Sequence, residues 1–558
     1  MKNMKKKLSF LMLLFLSAAV FAPVAAWAAA PSIEWQKCLG GSGEDIAYSA
    51  QRTPDDGYIF AGRTTSTNGD VSGNHGGSDA WVVKLNSSGA IAWQKCLGGT
   101  DYDYAFSIQL TSDGGYIIAG NTLSNNGDVS GNHGDYDAWV VKLNSSGAIE
   151  WQKCLGGSGD DRAFSIYQTI DGGYIVAGST TSNDGNVSGN HGFTDAWVVK
   201  LNSSGVIAWQ KCLGGGGTDS AYSIQQTSDG GYIIAGDTSS NDGDVSGNHG
   251  GTDAWVVKLN PSGTIVWQKC LGGSSGEVAR SIQQKGDGSY IVAGYTSSND
   301  GDVSGNHGSY DFWVVKLNSS GAIEWQKCLG GADTDFAYSI QQTGDGYIVA
   351  GETNSTNGDV SGNHGGYRDM WVARLNSSGT IVWQKCFGGS DEDYASSIIR
   401  TSYGGYIVAG HTNSTNGDVS GNHGGVSDMW VVKLNPDDTS VPGAPTNVTA
   451  AAGNGKATVS FTPPTSDGGS AITNYTVTSS PGGITKTGAS SPITVTGLTN
   501  GTAYTFTVTA TNVIGSSVAS IASSSITPVD SGGGGGGCSA TGYVFGVLAL
   551  ATLVFRKE

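Results

Sequence analysis

Apolar and polar positions alternate with period two along most of the chain, in short runs bounded by Gly, Asp, Asn and Ser. Four such runs stand together at Ala163–Thr169, Tyr174–Gly178, Ala196–Leu201 and Val206–Cys212. They are rich in Val, Ile, Tyr, Phe and Trp, the composition of a pleated, half-buried surface. The first two are joined at Asp171-Gly172, a pair that readily supplies the positive φ of a tight turn. The last two are joined at Asn202-Ser203-Ser204-Gly205. No segment carries a convincing 3.6-residue period. The reading is therefore all-β, built of antiparallel hairpins.

The whole set recurs. The tetrad Trp-Gln-Lys-Cys begins at Trp35, Trp93, Trp151, Trp209, Trp267, Trp325 and Trp383, in steps of 58 residues. A second tryptophan, in WVVKL or WVARL, falls at 81, 139, 197, 255, 313, 371 and 430. These fourteen and Trp27 are all 15 Trp of the chain. Four antiparallel strands repeated seven times predict a seven-bladed β-propeller. The array opens with a lone fourth strand, Ile33–Cys38, and ends on a third strand, Trp430–Leu434. The N-terminal strand is expected to complete the last blade and close the ring, removing its open edges. With its Asp-Gly-Gly-Tyr-Ile and Trp-Val-Val-Lys-Leu pattern, the array resembles secreted bacterial and archaeal β-propeller repeat proteins. That resemblance implies a fold and an envelope location.

From Pro442 the texture changes to Thr, Val and Ser with few charges. Pro445-Thr446-Asn447-Val448, Asn474-Tyr475-Thr476-Val477 and Gly497-Leu498 through Tyr504-Thr505-Phe506 resemble a fibronectin type III domain, with Tyr504 at the tyrosine-corner position. Phe461 stands where such domains often carry a core Trp. The family implies a spacer or adhesion module and no catalysis.

The two ends read as export and anchoring signals. Lys2, Lys5, Lys6 and Lys7, an apolar run from Leu8 to Phe21 and the small residues around Ala28 and Ala30 follow the plan of a signal peptide. At the other end Gly532–Gly537 precede Cys538, the apolar stretch Thr541–Phe555 and Arg556-Lys557-Glu558. This tail resembles the GlyGly-CTERM and Synerg-CTERM type of sorting signal, which implies processing near Cys538 and retention at a membrane or cell surface. The expected order is a signal peptide (1–30), the propeller (31–440), the fibronectin type III domain (441–529), a Gly-rich linker (530–540) and the hydrophobic tail (541–558).

Composition narrows the function. Gly is 89 of 558 residues without a Gly-X-Y period, which excludes collagen, and 38% apolar residues are ample for a core. The balance of 29 basic and 47 acidic residues, net −18, leaves no basic footprint for nucleic acid. Seven cysteines, from Cys38 to Cys386, recur at equivalent places on neighbouring blades. Sheets ~10 Å apart are too distant for a disulfide, so free buried thiols are expected.

The chemistry-bearing residues lie in the loops joining second to third strands and in the blade-to-blade connections. Asp79, Asp137, Asp195, Asp253, Asp311, Asp369 and Asp428 recur in every unit. Asp70, Asp128, Asp244, Asp302, Asp359 and Asp418 do so too, with Asn186 in the third unit. With Asp45, Asp160-Asp161 and their counterparts, these acids are expected to concentrate the charge on one rim. Asp- and Gly-rich loops are candidate Ca²⁺ ligands, although the spacing is not an EF-hand; the alternative is Asx-turns that satisfy their own backbone. The recurring histidines from His75 to His423, one per blade, suit loop hydrogen bonding better than zinc. The five Asn-Ser-Ser sequons from Asn86 onward are read as hairpin turns.

A catalytic centre needs unlike groups converging, and this ring is nearly uniform. Its deviations are Arg63, Arg162, Arg280, Arg368, Arg400 and His411, among which Arg368 and His411 are the best candidates for a unique site. The expectation is a non-enzymatic, monomeric surface ring that binds a glycan or protein through its long-loop face. A carbohydrate-active enzyme using rim acids, or a passive scaffold, are the alternatives.

Overall fold

The computed structural model describes residues 27, 30–437, 441–464, 472–512 and 515–530. Chain contacts divide the protein into two compact units, Met1–Asp438 and Thr439–Glu558. No α-helix occurs among the described residues.

The first unit consists of seven four-stranded antiparallel sheets. In the first blade the strands run Asp45–Arg52, Tyr58–Thr64, Asp79–Leu85 and Ile91–Leu97, neighbours in that order. The first strand of every blade touches the first strands of both adjacent blades, so these seven strands surround the axis. Each carries a bulge, between Ala47 and Ser49 in the first blade, which leaves residue 48 outside the ladder. The serine after the bulge bonds to the next blade: Ser49 Oγ accepts from Ile108 N at 3.2 Å, and Ser107 Oγ from Ile166 N. The series runs round the ring until Ser397 Oγ accepts from Ala50 N at 3.2 Å.

The two faces of each sheet pack on different neighbours. Tyr58 and Phe60 pack on Ile407, Ala409 and Val431 of the last blade, while Ile59 and Ala61 pack on Ile108, Tyr116 and Ile118 of the second. Burial on both faces explains the unbroken apolar runs of the second and third strands. Third-strand tryptophans such as Trp81 and Trp255 are buried in these interfaces. Fully burying a large apolar side chain is worth about 1.5–3 kcal/mol. Their indoles stay satisfied because Trp81 Nε1 donates to Gln94 Oε1 at 2.9 Å, and the same bond recurs in each blade. The Gln of Trp-Gln-Lys-Cys is therefore the partner of the second tryptophan.

The Trp of the tetrad is covered by the next blade's turn between its third and fourth strands. A Cβ added to Gly147, at φ +81, would stand 3.0 Å from the Trp93 ring, so glycine is required there for both conformation and space. Trp383 has no such turn after it. Asp437 takes that place, accepting from Trp383 Nε1 and from the Tyr406 hydroxyl, each at 2.8 Å.

The N-terminal strand Ile33–Leu39 pairs antiparallel with Asp428–Leu434 and supplies the outer strand of the last blade. The seven cysteines are free and buried; four lie with Sγ 3.8–3.9 Å from a glutamine Oε1. In the hairpin turns Asn86 Oδ1 accepts from Ser88 N and Ala90 N, both at 3.0 Å, so the sequon side chains build Asx-turns.

The second unit is a sandwich. Thr446–Gly453, Lys456–Thr462 and Ile493–Thr496 form one sheet, and Thr485–Gly488, Asn474–Ser480 and Thr505–Thr511 the other. Val459, Phe461, Tyr475, Val477, Phe506 and Val508 fill the core between them. Tyr504 Oη accepts from Thr499 N at 3.1 Å, the tyrosine corner. Ala30 packs, partly buried, at the junction of the last two blades. Apart from Trp27 and Ala30, the signal-peptide segment, Ala28 included, lies outside the described residues, as do Cys538 and the hydrophobic tail.

Candidate functional site

The acids expected on one exposed rim separate into three sets. Asp79, Asp137, Asp195, Asp253, Asp311, Asp369 and Asp428 open the third strands and are 0% exposed, so they do not lie on the exposed rim. The loop turns back so that one histidine addresses the carboxylate twice. His133 Nδ1 lies 2.6 Å from Asp137 Oδ2, and His133 N donates to the same oxygen at 3.2 Å. The pair recurs in all seven blades. Burial raises the Asp137, Asp195 and Asp253 carboxyls above the usual range despite these bonds.

Asp45, Asp103, Asp161, Asp219, Glu277, Asp335 and Asp393, which begin the innermost strands, are also 0% exposed. Asp45 accepts from Ser66 Oγ at 2.7 Å, from Gly41 N at 2.8 Å and from Thr64 Oγ1. Glu277 reaches the equivalent Thr296 Oγ1 and Gly273 N, each at 2.8 Å. Of the adjacent acids Asp160 and Asp161, the second is held by Ser182, Thr180 and Gly157. A large part of the negative charge sits inside the ring as blade anchors.

Asp70, Asp128, Asp244, Asp302, Asp359, Asp418 and Asn186 are half-buried. Asp70 Oδ2 lies 3.7 Å from His423 Nε2, and Asp418 Oδ2 lies 3.7 Å from His364 Nε2. Each of these histidines therefore stands between its own blade's buried Asp and the next blade's loop Asp. Among the described residues no group of three or more His, Cys, Asp or Glu is placed to hold a metal ion. The innermost-strand carboxylates, such as Asp45, are ringed by N–H and O–H donors that stabilise the carboxylate anion, whereas Asp137, Asp195 and Asp253 each keep a buried Oδ1 without a partner.

At these junctions the outer rim is hollowed into repeated pockets. One of about 440 Å³ is lined by Ser72, His75, Lys95, Cys96 and Leu97 of the first blade, with Asp128 and Ile149 of the second. Pockets of about 450 and 430 Å³ repeat this lining around His191, Lys211 and Asp244, and around His249, Lys269 and Asp302. Each offers an imidazole edge, an ammonium, a carboxylate and an apolar floor. The thiol in the floor is inert: burial pushes Cys96 and Cys270 up to about 12.

The symmetry breaks on the inner strands. Tyr48, Phe106, Phe164 and Tyr222 follow one another from blade to blade with centroids 5.0, 5.7 and 5.3 Å apart, and the series then meets Arg280, 4.1 Å above the Tyr222 ring. Closer to the long loops, Arg368 pairs with Glu352 at 2.6 Å, and Tyr338 Oη donates to Glu352 at 3.2 Å. The Tyr394 and His411 rings stack at 4.3 Å. Burial pushes Glu352 up to about 7 and His411 down to about 4. Arg63 pairs with Glu44 at 2.8 Å and lies over Tyr104. Of the deviating residues, Arg63, Arg280, Arg368 and His411 thus belong to this inner zone. Arg162 pairs with Asp160 and lies over Tyr136, and Arg400 is exposed at the far end of its strand. Glu352, Asp237 and Asn121 escaped the sequence reading, although aligning the residue before the closing Thr of the seven second strands exposes them.

Comparison with known proteins finds the fibronectin type III family at residues 443–526. The regulatory protein FlaEY of Caulobacter vibrioides is 26% identical over 140 residues, 23% of this chain and 14% of that protein, so the match spans a small part of the relative. Among solved structures, Sqt1 from Chaetomium thermophilum matches at 12% identity over 72% of this chain and all of its own, with a TM-score of 0.37. Puromycin hydrolase matches at 12% identity over 78% of this chain and 61% of its own, with a TM-score of 0.39. Titin kinase with its flanking domains is 30% identical over 16% of this chain and 17% of its own, with a TM-score of 0.15. The chain carries a seven-bladed β-propeller followed by a fibronectin type III domain.

Proposed function

We propose that the protein is a non-enzymatic binding protein, exported and retained at the cell envelope, whose propeller grips a repetitive surface glycan through its inter-blade pockets. The observation that supports this reading is the recurrence of one pocket, with the same His, Lys, Asp and apolar floor, at successive blade junctions. One such pocket offers a few hydrogen bonds and a modest apolar area, enough for weak binding. Several at a fixed step convert successive contacts into intramolecular ones and multiply the affinity for a polymer. Two of the three acidic sets, those of Asp45 and Asp79, are buried and held by structural donors, which favours binding over turnover. The basic, apolar N-terminus and the Gly-Cys-apolar-basic tail support export and envelope retention. The fibronectin type III domain is a module suited to a spacer.

The test is surface plasmon resonance of the full chain on a purified envelope polysaccharide and on its isolated repeating unit. Binding through several pockets predicts an affinity for the polymer about 100-fold or more above that for the unit. Equal affinities overturn the proposal, as does binding to a protein ligand with no polysaccharide affinity.

A further inference from the structure

Two lysines recur in the blades, and their surroundings are opposite. Those of the third strands are committed to acids. Lys84 pairs with Asp55, Lys142 lies 3.0 Å from Asp113, Lys200 3.0 Å from Asp171, Lys258 3.0 Å from Asp229, Lys316 2.7 Å from Glu324 and Lys433 2.9 Å from Glu34. The lysines of Trp-Gln-Lys-Cys are not. Among the described residues Lys37, Lys95, Lys153, Lys211, Lys269 and Lys327 make no ion pair or side-chain hydrogen bond, and Lys385 lies over the Phe387 ring. Lys95, Lys211 and Lys269 are exposed and line the three rim pockets. A fourth pocket of about 380 Å³ repeats the lining with His307, Lys327 and Asp359.

Drift has acted on this strand but not on its lysine. Three residues earlier the chain reads Glu34, Ala92, Glu150, Ala208, Val266, Glu324 and Val382, whereas the lysine is the same in all seven copies. The acids nearby do not cancel its charge. The sets of Asp45 and Asp79 are buried, and Glu34, Glu150 and Glu324 are taken by third-strand lysines. The loop acids face imidazoles, as Asp70 does His423 Nε2 and Asp418 does His364 Nε2, each at 3.7 Å. At the pocket wall the ammonium is the charge left without a counter-ion.

An ammonium is a compact charge with three donors and pairs with any anionic oxygen. The imidazole edge and loop carboxylate beside it suit hydroxyls, and Leu97 and Ile149 suit the apolar face of a sugar ring. We infer that the tetrad lysine of each rim pocket receives one anionic group, so that the polymer is an acidic polysaccharide bearing carboxylates or sulfates. The inference rests on the proposed function and narrows its ligand to one charge class. A polymer charged at every residue presents an anion to each pocket whatever the step between pockets.

The experiment is surface plasmon resonance of the full chain on polygalacturonate against its methyl ester, and on dextran sulfate against dextran. A charged polymer is expected to bind about tenfold or more tighter than its neutral partner, with the advantage falling from about 50 to about 500 mM NaCl. The pair that shows it distinguishes carboxylate from sulfate. Lys95→Gln with Lys211→Gln is expected to weaken binding about fivefold or more, and Lys95→Arg with Lys211→Arg to restore it. Lys456→Gln with Lys486→Gln, which removes two exposed charges from the second unit, is expected to change it less than about twofold. Tm is expected to stay unchanged throughout, since none of these four lysines has a protein partner. Charged polymers that bind no better than their neutral partners overturn the inference, while a polymer-over-unit advantage in the neutral ones leaves the proposed function standing. Affinity indifferent to Lys95→Gln with Lys211→Gln also overturns it. If those variants then aggregate on size-exclusion chromatography, the lysines serve only to guard the outer edge strands.

Discussion

Trp430 Nε1 donates to Gln36 Oε1 at 2.6 Å although the two residues are 394 positions apart. In the other blades the same bond spans 13 residues, as between Trp81 and Gln94. The first strand thus does for the last blade what a local hairpin does elsewhere. Gln36→Ala, which strands a buried indole N–H, is expected to lower stability by about 1–3 kcal/mol in urea unfolding. Deleting residues 31–39 is expected to do more, uncovering the edge of Asp428–Leu434 and producing dimers on size-exclusion chromatography.

The histidine–aspartate pairs hold the long loops. His249 Nδ1 lies 2.7 Å from the buried Asp253. His249→Ala removes that partner and is expected to cost about 1–3 kcal/mol. Asp244→Ala in the same loop, where the carboxylate is half-exposed, is expected to change stability by less than about 1 kcal/mol. Paired thermal melts check the contrast.

Stability is expected to peak near pH 5. Burial pushes Asp335 and Asp393 up to about 6. A carboxyl raised on folding contributes stability in full below its unfolded pKa of about 4 and loses it as pH rises through the folded value. His191 and His249, raised by their bonds to Asp195 and Asp253, act in the same sense, with full effect below about 6.5 and loss above. On the acid side, Lys84 holds Asp55 down to about 2, and that stability is lost as pH falls below about 4. A Tm profile from pH 3 to pH 9 checks the sign on both flanks.

The thiols are expected to be silent in the folded ring. Cys38 and Cys154 are buried and pushed up to about 12. Maleimide labelling is expected to leave the seven propeller cysteines unmodified until denaturant opens the blades.

Calcium is expected to leave the melting temperature unchanged. The Asp103 carboxylate accepts on both oxygens, from Thr122 Oγ1, Gly99 N and Ser124 Oγ, and Asp195 keeps a single unpaired, buried Oδ1, short of the six to eight oxygens calcium takes. A site filled to 100 times its dissociation constant adds about 2.7 kcal/mol, which a melt with EDTA and then millimolar CaCl₂ detects.

The ring was legible because its determinants are local and repeated. The Trp-Gln-Lys-Cys and Trp-Val-Val-Lys-Leu runs name the strands, and the phase of Ile33–Cys38 against Trp430–Leu434 names the closure. The fate of the acids was not legible, because a carboxylate's partner lies across the sheet. Asp45 finds Thr64 and Ser66, 19 and 21 residues on, and the letters Asp, Thr and Ser carry no sign of that meeting. A loop acid and a buried anchor look alike until the register is known. Arg63 and His411 stood out in the sequence as departures from the repeat, but the Arg63–Glu44 pair and the Tyr394–His411 stack depend on which strands the fold makes neighbours.

On the proposed function, the rim pockets act together on one repetitive ligand. The most direct measurement is polysaccharide affinity across a ladder of full-length variants in which none, one, two and three pockets are filled by Ala148→Trp, Thr264→Trp and Ala322→Trp, each at a residue that lines one pocket. Concerted gripping predicts a stepwise fall of several-fold per filled pocket. An affinity that stays flat along the ladder would contradict the account.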